Sequence, residues 1–473
     1  MINKFKLMTY SFAGLLLSSL FATSANAHGV QGRADTPIPI EAFFLVAAVV
    51  LVVSFVGLSF GWSKPKLSTY TWVQAPRFMQ TLVLSQATLW IFRLITLLIF
   101  TVVLFAAMFG STTLGSNIAP LVVFVVWWIA LVPIAGLFGN VWRSINPWIS
   151  IAKLLNFKAE TASKLPSWVG VWPSAAILLI FAWLELVFPT PAEPRLIAFI
   201  LVAYSLFTLW GMKKYGTERW LDSGEGFSVY SGLLSLISPV EVRDGKLGFR
   251  APFIAATRMR IEPGVVGLIA VLIATVTYDG LSTSSFWKLR DIAASERLID
   301  LGLNDFQAGV LIGTFGLLGS LFVFSLLFEI CSYLSGAIAN WKYTNAGRVA
   351  VAFSHSMIPI AFAYFVAHYF TLFVFQSQDL LRLASDPFGF GWDLFGTSER
   401  RINFQAVSAE LIWGVQTIAI VVGHVLGLGY AHDRALEIGR THKEALKSQY
   451  PMLVLMVLLT VAGLWSLSAG MNS

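Results

Sequence analysis

Residues 40–61 read IEAFFLVAAVVLVVSFVGLSFG, and this stretch decides the fold. It holds one acid, Glu41, and no base. Its apolar residues run around the whole helix circumference, so the segment belongs in lipid and not on a soluble surface. At a rise of about 1.5 Å per residue, some 20 residues cross a hydrocarbon core of roughly 30 Å. The same reading applies to 89–110, 119–139, 169–188, 195–212, 263–283, 308–335, 349–375, 406–431 and 450–470. The expectation is an all-α integral membrane protein with about ten transmembrane helices. Composition agrees. The 473 residues are 57% hydrophobic and 12% charged, against about 25% charged in soluble proteins, and the mean hydropathy is +0.74. The 17 Trp and 38 Phe suit interfacial anchors and lipid-facing surfaces.

Residues 1–27 place Lys4 and Lys6 before an apolar run from Leu7 to Ala22 and close on Ala25-Asn26-Ala27. That is the pattern of a cleaved secretory signal peptide. Cleavage leaves residues 28–473 as a single polytopic domain beginning at His28. An N-terminal histidine offers its α-amine and its imidazole to one metal ion, and the amine titrates near pH ~8. A cleaved signal puts this terminus outside. Alternation then puts loops 62–88, 140–168, 213–262, 336–348 and 432–449 inside. Those loops hold 21 Lys and Arg, against 8 in the outer segments, as the positive-inside rule requires of a chain with both termini out. The expected location is a bacterial inner membrane, with a periplasmic outer face.

The largest inner loop is 213–262, where Ser228–Val240 is apolar enough to lie along the interface. The largest outer loop, 376–405, contains a turn-rich aromatic run from Asp386 to Asp393, suited to capping a cavity. The single cysteine, Cys331, excludes disulfide scaffolds, cysteine zinc sites and iron–sulfur clusters within one chain. The net charge of +7 is accounted for by inner loops, with no call for nucleic acid. Walker, Rossmann, HExxH and GxSxG signatures are absent.

Ionisable residues within spans are costly and mark function. Near the outer ends lie Glu185, Asp279, His368 and Glu410, with His28, Asp35 and Glu41 on the same side. His and carboxylate donors suit zinc, and an N-terminal amine with imidazoles suits copper. The expected metal ligands are His28 and His368, with Glu410, Glu185 and Asp279 as ligands, supports or general base. A second polar set, His355, His424 and Glu329, lies nearer the inner face. It reads either as a haem pair, His355 with His424, or as a network locking three helices. Pro359 could kink the helix carrying His355 and His368. His432-Asp433-Arg434 and His442 read as a solvated helix end.

Several strings add up to a family resemblance. They are HGVQGRADTPIP (28–39), WLELV (183–187), YSGLLSLISP (230–239), YDGLS (278–282), SHSMIPIAFAYFVAHYF (354–370), SDPFGFGWDLFGT (385–397), VVGHVLGLGYAHDRA (421–435) and SQYPMLVLM (448–456). The chain resembles bacterial integral membrane proteins labelled fenitrothion hydrolase, or organophosphate hydrolase. The resemblance implies cleavage of a P–O–aryl bond in an apolar organophosphorus triester near the outer interface. It supplies no catalytic residues. A divalent transition metal, zinc or copper, would activate water there. The partners expected are the lipid bilayer, an apolar small-molecule substrate and, with room left for it, a small accessory subunit. Two other classes stay open: a transporter for a metal ion or small hydrophobic molecule, with acids marking its path, and a haem redox subunit.

Overall fold

The structure is a computed structural model describing residues 40–67, 71–158, 162–341 and 346–469. His28 and Asp35 lie outside these residues, as does the expected signal peptide. The main helices are α1 (Ile40–Gly61), α2 (Gln86–Phe109), α3 (Ile118–Phe138), α4 (Trp172–Leu186), α5 (Pro194–Tyr215), α6 (Gly226–Leu234), α7 (Val265–Thr283), α8 (Ser285–Asp300), α9 (Asp305–Ile338), α10 (Ile358–Gln376), α11 (Ala409–Ile438) and α12 (His442–Ala469). Nine helices among the described residues are long and apolar enough to cross a membrane. The protein is therefore a polytopic helical membrane protein.

The expected fourth span, 169–188, is the exception. It forms only the 15-residue α4, about 22 Å long. Pro173 in its first turn and Thr190-Pro191 beyond its end limit it. Even so, α4 runs beside α7 from end to end. The Val171 amide donates to Pro263 O at 2.8 Å, and the Trp172 ring covers Gly264 and Gly267. At the far end, Val187 packs on Tyr278 and Leu317. The helix thus runs beside the stretch from Pro263 to Tyr278 and, at 15 residues against 19, is shorter than α7.

Loop contacts fix which segments share an end. At one end sits a three-stranded antiparallel sheet in the order β1-β3-β2, from β1 (Trp72–Gln74), β2 (Val240–Arg243) and β3 (Lys246–Arg250). It joins the 62–88 and 213–262 loops, pairing Trp72 with Arg250 and Val242 with Leu247. Arg143 bridges to Glu218 and Asp222 at this end. Asp433 takes the Trp62 indole and the Lys66 and Leu67 amides there. At the opposite end, the Ser111 amide donates to Phe388 O at 2.7 Å, and Arg195 donates to Ala107 O and Gly110 O.

Three expectations need correction. A small sheet accompanies the helices, because Asp244-Gly245 makes a two-residue turn with both φ positive, 49° and 73°, the geometry that pairs short strands. The Ser228–Val240 segment does not lie along an interface. Its α6 portion is inside the protein, with Phe227, Tyr230 and Leu234 at most 2% exposed. His432 and Asp433 are not a solvated end but are buried, at 0% and 2% exposure.

Within α3, Leu121–Ile129 is a π-helix, closed by the Ala130 amide on Val125 O at 2.9 Å. Such segments are rare and gather at functional sites. Here Trp127 and Trp128, adjacent in sequence, serve different surroundings. Pro359 does not kink α10. It sits in the first turn, after a 3-10 turn at Ser354–Met357, where its missing N–H costs nothing.

Candidate active site

Asp279, near the end of α7, accepts a hydrogen bond from His368 Nε2 of α10 at 3.0 Å. Both side chains are largely buried, 19% and 15% exposed. A carboxylate on one imidazole nitrogen fixes the tautomer and leaves the other nitrogen for chemistry. That other atom, His368 Nδ1, is buried and has no hydrogen-bond partner among the described residues. The Tyr369 ring meets the His368 ring edge-on at 4.9 Å, and its hydroxyl lies beside Asp279.

Gly280 lets a third helix approach. A Cβ there would fall 1.5 Å from Ser466 Oγ of α12 and 3.5 Å from His368 Cε1. Ser466 Oγ therefore lies within about 5 Å of the imidazole. It too is buried and, among the described residues, makes no hydrogen bond of ordinary geometry. Tyr364 stands beside Ser466.

Glu185, on α4, interacts electrostatically with Asp279 and lies beside Trp128. Glu185 Oε2 and Trp128 Nε1 are both buried, and among the described residues neither makes a hydrogen bond of ordinary geometry. The Trp128 ring stacks on Tyr230 at 5.1 Å, whose hydroxyl is also unpartnered. Buried polar atoms are ordinarily satisfied, and an unsatisfied one calls for an explanation such as a catalytic role or a bound water. A cluster of such atoms around one Asp–His pair is thus a candidate reaction centre. The contrast is Glu225, fully buried at the start of α6. It accepts from Tyr204 Oη, Asn146 Nδ2 and the Phe227 and Ser228 amides, and so is a satisfied helix cap.

Of the residues read from sequence, the structure pairs Asp279 with His368 and puts Glu185 within electrostatic reach of Asp279. It does not bring in Glu410. That residue is exposed in the first turn of α11, because Ser408 caps the helix there. The helix starts at Ala409, three residues later than the hydropathy of 406–431 suggests. The inner set is not one cluster. Glu329 is exposed on α9. The His355 ring faces Tyr430 at 5.9 Å, while His424 donates Nδ1 to Ile420 O at 2.8 Å within its own helix. Tyr430 is six residues past His424, about 9 Å along α11, so the two histidines do not face each other at one depth as haem ligation requires.

Among the described residues, no group of three or more His, Cys, Asp or Glu is arranged to hold a metal ion. His368 Nδ1 and Glu185 Oε2 offer one imidazole nitrogen and one carboxylate oxygen, fewer donors than zinc or copper sites take from protein. Trp128, Tyr230, Tyr364, Tyr369 and Ser466, uncharged residues in apolar segments, carry no signal in the sequence. The chain matches no protein-family model, no curated protein and no solved structure.

Proposed function

We propose that this protein is a membrane-embedded hydrolase of uncharged organophosphorus triesters, cleaving the P–O–aryl bond at the Asp279–His368 centre. The carrying observation is the buried Asp279–His368 hydrogen bond with Nδ1 left free. In this reading Asp279 orients the imidazole and stabilises it when protonated. His368 Nδ1 takes a proton from water as the water oxygen bonds to phosphorus. The P–O–aryl bond breaks, and the proton passes to the departing aryloxide. The Tyr230 and Trp128 donors face the phosphoryl group, and Glu185 holds the water.

A zinc or copper ion joins this proposal through His28. In this proposal the His28 amine and imidazole would anchor the ion, and His368 Nδ1 stays free as the base. When bound, such an ion supplies a water acidic enough to ionise near neutral pH. We place the protein in a bacterial inner membrane, signal cleaved, with both termini and the site on the periplasmic side. The Lys and Arg bias supports that orientation. The sheet-bearing end, joining 62–88 and 213–262, is then cytoplasmic.

The test is nitrophenol release from fenitrothion by purified, signal-cleaved protein in lipid nanodiscs. Turnover by the wild type that falls at least 100-fold in His368→Ala supports the reading. Equal rates in the two proteins, or no turnover by the wild type, overturn it.

A further inference from the structure

Although α4 and α5 are joined by a short connection, they part company. α4 lies on α6 and α7, whereas α5 lies on α2. Between them, closed off behind by α3, is a crevice of about 580 Å³. Its rim is exposed on the surface that faces lipid, at Ala176, Ile180, Phe199 and Ala203. Its inner wall is buried, with Phe181 at 8%, Phe227 at 2% and Leu201 at 2% exposure.

The lining defines a ligand chemistry. Among the described residues no Asp, Glu, Lys, Arg or His lines the crevice, and the Tyr204 hydroxyl is turned away onto Glu225. A charged or strongly hydrogen-bonding ligand would lose its water without compensation. Seven lining residues are aromatic, among them Trp127, whose ring lies 4.6 Å from that of Phe227. Such walls suit a flat ring. The volume lies within the range of small-molecule pockets.

The inner wall is also the edge of the reaction centre. Phe181 and Phe227 line the crevice and touch Trp128, at 5.0 and 6.3 Å. Phe181 lies one helical turn before Glu185, on the same face of α4. The crevice and the buried polar cluster are therefore separated by one aromatic layer.

We propose that this crevice binds uncharged, aromatic-bearing lipophiles arriving sideways from the bilayer, and that Phe181 is the partition between this chamber and the Asp279–His368 centre. The chamber deepens the hydrolase reading by giving its substrate class, an aryl ester concentrated in the membrane, a holding site.

Binding is tested without turnover. The full-length protein in nanodiscs is titrated with para-nitroanisole, a neutral nitroaromatic with no phosphorus ester, and tryptophan quenching is followed. Saturable quenching is expected, reduced in Trp127→Phe and shifted at least tenfold in Kd by Ala176→Phe with Ala203→Phe. Those substitutions fill the crevice from its lipid-facing rim, where they leave the core packing intact. Quenching that rises linearly with probe, or is unchanged in the filled variant, means lipid chains alone occupy the crevice and overturns the proposal. Saturable binding with no fenitrothion hydrolysis overturns the hydrolase reading and leaves the chamber standing. Wild-type fenitrothion KM in the filled variant overturns the chamber and leaves the hydrolase standing.

Discussion

Replacing Glu185 by leucine should stabilise the protein and silence it at once. Among the described residues Glu185 Oε2 is buried with no hydrogen bond of ordinary geometry, on a helix whose Phe181 and Ala182 are core residues. An unsatisfied buried polar group costs about 1–3 kcal/mol. Leucine is close to glutamate in size and removes that cost. Stability should therefore rise by about 1–3 kcal/mol, while nitrophenol release falls at least 100-fold, equivalent to about 2.7 kcal/mol of barrier. The assay is thermal unfolding in nanodiscs at one fixed scan rate, since membrane proteins unfold irreversibly, paired with initial rates. Glu225→Leu is the control with the opposite sign. Its carboxylate is buried but satisfied by four neutral donors, and removing it strands them at about 1–3 kcal/mol for each left unsatisfied. A Glu185→Leu protein destabilised by more than about 1 kcal/mol would show that Glu185 is an ordinary structural group. Wild-type turnover in it would place Glu185 outside the chemistry.

Other substitutions separate position from chemistry. Glu410→Gln, exposed in the first turn of α11, should leave turnover within about twofold and cost roughly 0.3–1 kcal/mol through the helix dipole; initial rates and thermal unfolding check this. Gly280→Ala should destabilise by about 1–3 kcal/mol through overpacking against Ser466, with its Cβ only 1.5 Å from Ser466 Oγ. Adding Ser466→Gly to the same chain should restore the melting temperature. Asp433→Asn should weaken the hold on Trp62, Lys66 and Leu67 by about 1.5–3 kcal/mol, seen as faster amide exchange across 62–67 with little change at α7.

The membrane fold was legible because lipid imposes one rule on long apolar segments. Its edges were less so, since hydropathy marks where a span is apolar and capping marks where a helix ends. Ser408 starts α11 three residues into the 406–431 window, which takes Glu410 to the surface. The same helix continues to Ile438, which draws His432 and Asp433 into the protein. The hairpin had a signal: Asp244-Gly245 between VEVR and KLGFR is a turn dipeptide flanked by strand patterning. The burial of α6 had none, because an apolar segment of that length reads equally as interfacial or internal. In the candidate site, Asp279, His368 and Glu185 stood out as ionisable groups in spans. Which of the outer acids meet was settled by packing. Gly280 admits Ser466, and α4 lies along α7, and neither follows from residue type alone.

The central claim is that Asp279 and His368 act as one unit, and a double-mutant cycle on fenitrothion turnover tests it most directly. Groups that work together lose their contribution once. Asp279→Asn, His368→Ala and the double variant should therefore show similar rates, each at least 100-fold below wild type, with expression and monodispersity retained. Losses that multiply in the double variant, or a wild-type rate in either single variant, would contradict the account.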